Sequence, residues 1–311
     1  MMNLGAMIGV LLVAFAGTLV LGLAMKWVDR KVTAMVQWRV GPPWYQPIAD
    51  VAKLLGKETI VPQNARRTGF LLAPVVGFAA VAVAAAILWG ANLNPRASFV
   101  GDLIVVLYLL TIPSLAVVVG GAASSNPHGA VGASREMKLI LSYELPLVLA
   151  MVPAMIAGGW TLRLGDIMTT PSPSVWTSAA MALGFVVCLL CVQAKLGLVP
   201  FDMAEAETEI MGGAYVEYSG APLAVIYLTR AMMLAVMPIL LVTVLWGGFH
   251  FDTVGGAIAS VLKYVLVIVV TVLVRNTNPR VRIDHAMKFF WFGLTPLAVL
   301  AVVLALVGST P

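Results

Sequence analysis

Apolar residues fill this chain in long unbroken runs, and the short polar stretches between them hold most of the charge. Runs of about 20 residues, the length a helix needs to cross a bilayer, recur eight times, over 5–25, 69–90, 98–120, 138–159, 176–196, 221–246, 254–275 and 289–308. The period-two alternation of a barrel is absent, and a helix satisfies all its backbone hydrogen bonds within one segment in lipid. The pattern therefore predicts an all-α integral membrane protein of eight transmembrane helices, with residues 1–311 forming one polytopic domain. The opening MMNLGAM lacks a positive region, and the apolar run behind it is too long for a signal peptide, so the first helix is expected to be retained.

One connecting stretch has a helical period of its own. In PIADVAKLLGK, residues 47–57, Ile48, Val51, Ala52 and Leu55 share a face, while Asp50, Lys53 and Lys57 lie elsewhere around the axis. Pro47 suits a first helical turn, and Gly41-Pro42-Pro43 prevents a continuous helix from Arg39 into it. A cytoplasmic amphipathic surface helix, lying under a docked partner or among lipid headgroups, is the expectation.

Charge then sets the orientation. The chain is 61% hydrophobic and 11% charged, with a net charge of +5. The first connection holds Lys26, Arg30, Lys31, Arg39, Lys53, Lys57, Arg66 and Arg67. The last holds Arg280, Arg282 and Lys288 with Arg275 at its edge, and the third-to-fourth connection adds Arg135 and Lys138. Arg96 and Arg163 alone fall on the other side. Lysine and arginine mark the cytoplasmic side, so both termini are expected outside and the long loops inside, in a multi-pass protein of the cell (inner) membrane. This asymmetry accounts for the net charge and gives no reason to invoke nucleic acid.

The candidate chemistry is acidic. Of 14 carboxylates, Asp202, Glu205, Glu207, Glu209 and Glu217 fall within the 21 positions 200–220, between two apolar segments. Crowded carboxylates disfavour one another's charge, and removal from water adds to the cost. Such a cluster fits the handling of protons or cations, or the docking of a basic partner on a solvated acidic surface. In a helical segment Asp202, Glu205 and Glu209 would share a face and Glu207 would point away. Glu144, Lys195, Arg230 and Lys263 sit inside apolar segments, where a charge costs about 2.5–3.5 kcal/mol on insertion scales. Lys195 and Arg230 are close enough to segment ends to snorkel; Glu144 and Lys263 either lie on an ion path or pair with another helix. Cys188 and Cys191 form a C-x-x-C inside the fifth segment, with no His or further Cys to complete a tetrahedral site. Packing explains them, no metal site is read from the chain, and any redox chemistry belongs to partners.

Five motifs occur in order: DRKVTAMVQWRVGPP (29–43), QPIADVAKLLGKE (46–58), GASREMKLILSYELP (132–146), PFDMAEAETEI…VEYSG (200–220) and PRVRIDHAMKFFW (279–291). Together they resemble the membrane subunit shared by respiratory complex I and the membrane-bound, energy-converting nickel–iron hydrogenases, the subunit at the junction with the peripheral arm. The resemblance implies a subunit without redox centres of its own, with the nickel–iron site and iron–sulfur clusters in partner chains. Glu144, Glu205, Glu207, Glu209 and Glu217 fall on positions of a carboxylate path into the membrane, with Asp202 beside them, and Lys263 falls where hydrogenase relatives place a lysine. Arg39, Arg280, Arg282 and Asp284 match loop positions that pack on the peripheral arm, and Asp50 and Lys53 of the surface helix extend that interface. The implied partners are hydrogenase-type large and small peripheral subunits, antiporter-like and small membrane subunits, and lipid. Lys195 and Arg230 depart from the pattern, since the family commonly has glutamates there. Only Pro43-Trp44-Tyr45 separates the first Gly-Pro pair from Gln46-Pro47, where complex I versions are longer, and SSNPHGAVGASRE (124–136) also resembles the hydrogenase branch. The expectation is a hydrogenase-type coupling subunit moving protons or sodium ions; the alternatives are a complex I-like quinone-site subunit and a pure membrane scaffold.

Overall fold

The computed structural model describes residues 4–169, 175 and 178–309, and among these there are helices and no strands. Seven helical stretches are long and apolar enough to cross a membrane. They are residues Leu12–Val36 of α1 (Leu4–Val36), then α3 (Arg67–Leu93), the joined pair α4 (Asp102–Leu109) and α5 (Ile112–Ala123), α6 (Pro127–Ala157), α10 (Gly220–Leu245), α11 (Val254–Thr277) and Ile283–Gly308. The fifth predicted segment forms a shorter helix of 17 residues, α8 (Ala179–Lys195). It starts after Ser178 and stops before Gly197, whose φ of +60° lies outside the helical region; positions 176–177 of that segment lie outside the described residues.

α10 is buried along most of its length and packs against α1, α3, α8 and α11. α6 packs against α5, α8 and the last helix, α13 (Thr295–Ser309). The third span breaks between α4 and α5 because Pro113 has no N–H to give and its ring opposes the carbonyl four residues earlier. Thr111 lies at this break, facing α6 and α8.

The helix expected near Pro47 is present as α2, Gln46–Leu55. Its apolar residues divide: Pro47 and Val51 are buried, whereas Ile48 and Leu55 are exposed. Asp50 anchors it, accepting hydrogen bonds from Arg30 of α1 at 2.7 Å and from Gln46 at 3.0 Å.

The acidic loop is not one helix. Turns closed by the amides of Glu205 and Ala206 on the Asp202 carbonyl lead into a four-residue helix, α9 (Glu207–Ile210), which ends where Gly212 and Gly213 adopt φ of +95° and +51°. Asp202, Glu205 and Glu209 therefore share no helical face. The loop lies directly on α6 because residue 132 is glycine: a Cβ there would stand 2.4 Å from the Ala214 nitrogen and 2.9 Å from the Ala204 carbonyl oxygen. Both neighbours are backbone and cannot swing aside. Gly132→Ala is thus expected to destabilise the protein by about 1–3 kcal/mol, read as a lower midpoint of thermal unfolding in detergent.

Candidate functional site

Three of the loop acids meet bases, from α6, α10 and the last connection, and a fourth meets an amide. Asp202 accepts from Nε of Arg280 at 2.8 Å and from Nη2 at 2.5 Å. Glu205 receives a bidentate pair of hydrogen bonds from Arg230 of α10, at 2.8 and 2.9 Å. Glu209 accepts from Arg135 of α6 at 2.6 Å, and Glu217 accepts from the Asn126 side chain that also caps α6. Glu207 is exposed. A solvated acidic surface is therefore not what the fold builds, since most of the cluster is neutralised within the chain.

These pairs border a cavity of about 420 Å³. Its lining includes five bases, Lys26, Arg30, Arg230, Arg275 and Arg280, and four carboxylates, Asp29, Asp202, Glu205 and Glu207. Asp29 is the best sheltered of them, with a side chain 1% exposed and both oxygens held at 2.7 Å by Arg275. Arg30 ties the cavity wall to α2 through Asp50 and also donates to the Tyr227 hydroxyl at 3.1 Å.

Electrostatics outside the spans follows these contacts. Burial pushes the Glu205 carboxyl up, but the Arg230 guanidinium outweighs it and holds the group below its ordinary range. Burial raises the Tyr215 phenol to about 12, against the pull of Arg230, whose guanidinium lies 4.4 Å from the ring centroid. Burial also raises Asp50, and hydrogen bonds from Arg30 and Gln46 more than reverse it.

A second, smaller cavity of about 60 Å³ continues inward and shares Leu196, Gly197, Asp202, Glu205 and Arg230 with the first. Glu136, Ser114, Tyr215 and Lys195 also line it. Behind it, the fully buried Lys195 ammonium donates to Glu144 Oε2 at 3.0 Å and to the Thr111 hydroxyl at 2.9 Å. Thr111 in turn donates to Glu144 Oε1 at 2.8 Å. Glu144, with a side chain 25% exposed, stands at the far end of the row.

One expectation is corrected here, and for Lys263 one of two alternatives is taken up. Lys195 and Arg230 do not snorkel: each turns onto a carboxylate, Glu144 at 3.0 Å and Glu205 at 2.8 Å. Lys263 is not brought into the row. Its ammonium donates to the Trp246 carbonyl at 3.0 Å, just past the end of α10, about 24 Å along the helix axis from Arg230. Of the docking positions, Arg39, Lys53, Arg282 and Asp284 are exposed, while Asp50 and Arg280 are partly buried in the pairs described above.

Glu136 does not stand out in the sequence. Next to Arg135 and Lys138 it reads as a headgroup-level charge, yet α6 begins nine residues earlier and carries it inside. A usable signal exists: Glu136, Leu139, Ile140, Tyr143 and Leu147 follow the spacing of one buried helical face. Asp29 is inconspicuous for a similar reason, lying in a basic stretch that continues as helix to Val36.

The family model for NADH dehydrogenase matches residues 8–306. An NADH-quinone oxidoreductase subunit from Brevibacillus brevis is 33% identical over 290 residues, covering 90% of this chain and 86% of the relative. Its counterpart from Thermomicrobium roseum is 36% identical over 305 residues, covering 89% and 88%. Among solved structures, a chain of the archaeal membrane-bound sulfane sulfur reductase, a respiratory membrane complex, superposes with a TM-score of 0.86 at 28% identity, covering 96% of this chain and 99% of that one. With five ordered motifs, a fold of apolar helices and these matches along nearly its whole length, the chain belongs to the NADH dehydrogenase family, as a multi-pass membrane subunit of a complex I-like respiratory complex.

Proposed function

We propose that this chain is the non-redox anchor and coupling subunit of an energy-converting, membrane-bound hydrogenase-type complex. The observation that carries the reading is the row of acid–base groups running from the charged cavity, through Glu205–Arg230 and Glu136, to Lys195–Glu144. A redox event in a peripheral module docked over the cavity changes charge at Asp202, Glu205, Glu207 and Glu209, and the row passes the change to Glu144 and so to ion-translocating neighbours. Nickel–iron and iron–sulfur centres sit in peripheral large and small subunits, with antiporter-like and small subunits beside this chain in the membrane. α8 completes eight spans and both termini lie outside. The acidic and basic loops face the cytoplasm, where α2 lies along the membrane surface and Arg39, Lys53, Arg282 and Asp284 meet the peripheral arm.

The short first loop supports the hydrogenase branch. The NADH-quinone chemistry in the names of the two oxidoreductase relatives favours a second reading, a quinone-site subunit. The charged lining of the cavity beside the acidic loop speaks against a quinone there, because a quinone ring and tail call for mostly apolar walls. Gentle purification of the intact complex through a tag on this chain separates the two. Nickel together with hydrogen evolution is the expected outcome; quinone reduction by a nickel-free complex would assign the second reading.

A further inference from the structure

We propose that Lys195 is a proton carrier, moving one proton at a time from Glu136 to Glu144. This rests on the coupling role proposed above and names the group on which the row depends. Lys195 occupies the one place on the row where the inner cavity and Glu144 meet. Its side chain is fully buried, its stem belongs to the last turn of α8, and its ammonium lies 3.0 Å from Glu144 Oε2 and 2.9 Å from the Thr111 hydroxyl. On its other side it lines the cavity that Glu136 and Ser114 also line. That space has room for a small number of waters among polar walls. No carboxylate bypasses it within the described row: Glu205 is held on both oxygens by Arg230, whose guanidinium cannot release a proton. A lysine can, since a buried amine readily gives up its charge.

The step balances without a co-reactant. An Nζ–H bond of the ammonium breaks as an O–H bond forms at Glu144 Oε2, leaving a neutral amine beside a carboxylic acid. The amine then takes a proton from protonated Glu136, through water or the Ser114 hydroxyl, and Glu136 returns to carboxylate until the charged cavity reprotonates it. Thr111 holds the amine in place throughout, and Tyr143, whose ring centroid lies 5.4 Å from Nζ, closes the apolar side.

The experiment uses the intact complex in proteoliposomes, with redox turnover, proton and sodium uptake and subunit content measured together. K195R keeps a cation on Glu144 but cannot cycle through a neutral form. Assembly and redox turnover are expected to persist while proton uptake falls at least tenfold. Should K195R fail to assemble, Glu136→Gln leaves the Lys195–Glu144 pair intact and is expected to give the same loss. Wild-type uptake in either assembled variant would overturn Lys195 as carrier. A wild-type complex that turns over and moves sodium ions but no protons would overturn the carrier alone, and one that moves neither would overturn the coupling role and the carrier with it.

Discussion

Glu144→Gln is expected to abolish ion translocation while leaving redox turnover of an assembled complex largely intact. It should also weaken assembly, because it strands the Lys195 ammonium. The Lys195 side chain is fully buried, and among the described residues Glu144 is the carboxylate that holds it. Removing one partner of a buried pair costs about 3–5 kcal/mol, much of it the unpaired charge that remains. The two effects can be separated. In a Glu144→Gln, Lys195→Met double variant neither charge remains, so thermal stability should recover most of the loss, while translocation should stay absent. Thermal unfolding of the purified complex reads the first quantity and proton or sodium uptake into vesicles reads the second. Unchanged translocation in assembled Glu144→Gln complex would remove Glu144 from the ion path.

Arg230→Met should release the acidic loop. Arg230 binds both oxygens of Glu205 and stacks its guanidinium on Tyr215, so one side chain joins α10 to the loop on either side of α9. About a third of each side chain in the pair reaches the cavity, 33% and 32%, which places the loss near ~2 kcal/mol, below that of a fully buried pair. The consequence should be local, with faster amide exchange and protease cutting across 202–217. Arg280–Asp202 and Arg135–Glu209 still hold the flanks. Translocation should fall further than redox turnover, because Glu205 loses the cation that fixes it in the row. Equal amide exchange in variant and wild type would show that the flanking pairs suffice to hold the loop.

How much can be read in advance differs from residue to residue. The apolar runs mark every membrane-length helix, because hydrocarbon tolerates little else over about 20 residues. Lys195 and Arg230 mislead because snorkelling depends on distance to a segment end, which sequence supplies, whereas pairing depends on what faces the side chain, which it does not. Glu144 and Lys263 look alike for the same reason, as lone charges in apolar runs. One meets a buried base, and the other caps a carbonyl at the opposite end of α10.

The sequence by itself determined the membrane class, the helical composition, the family and the crowding of acids into one loop, because each of these is a property of order along the chain. Tertiary structure decided which acids meet which bases. Asp29 and Arg275 pair across 246 positions and Lys195 and Glu144 across 51, and ionic contacts are set by distance in space rather than along the backbone. It also decided the form of the loop: mutual repulsion among its carboxylates disfavours a solvated helix, while bases on α6, α10 and the last connection pull them apart onto separate partners.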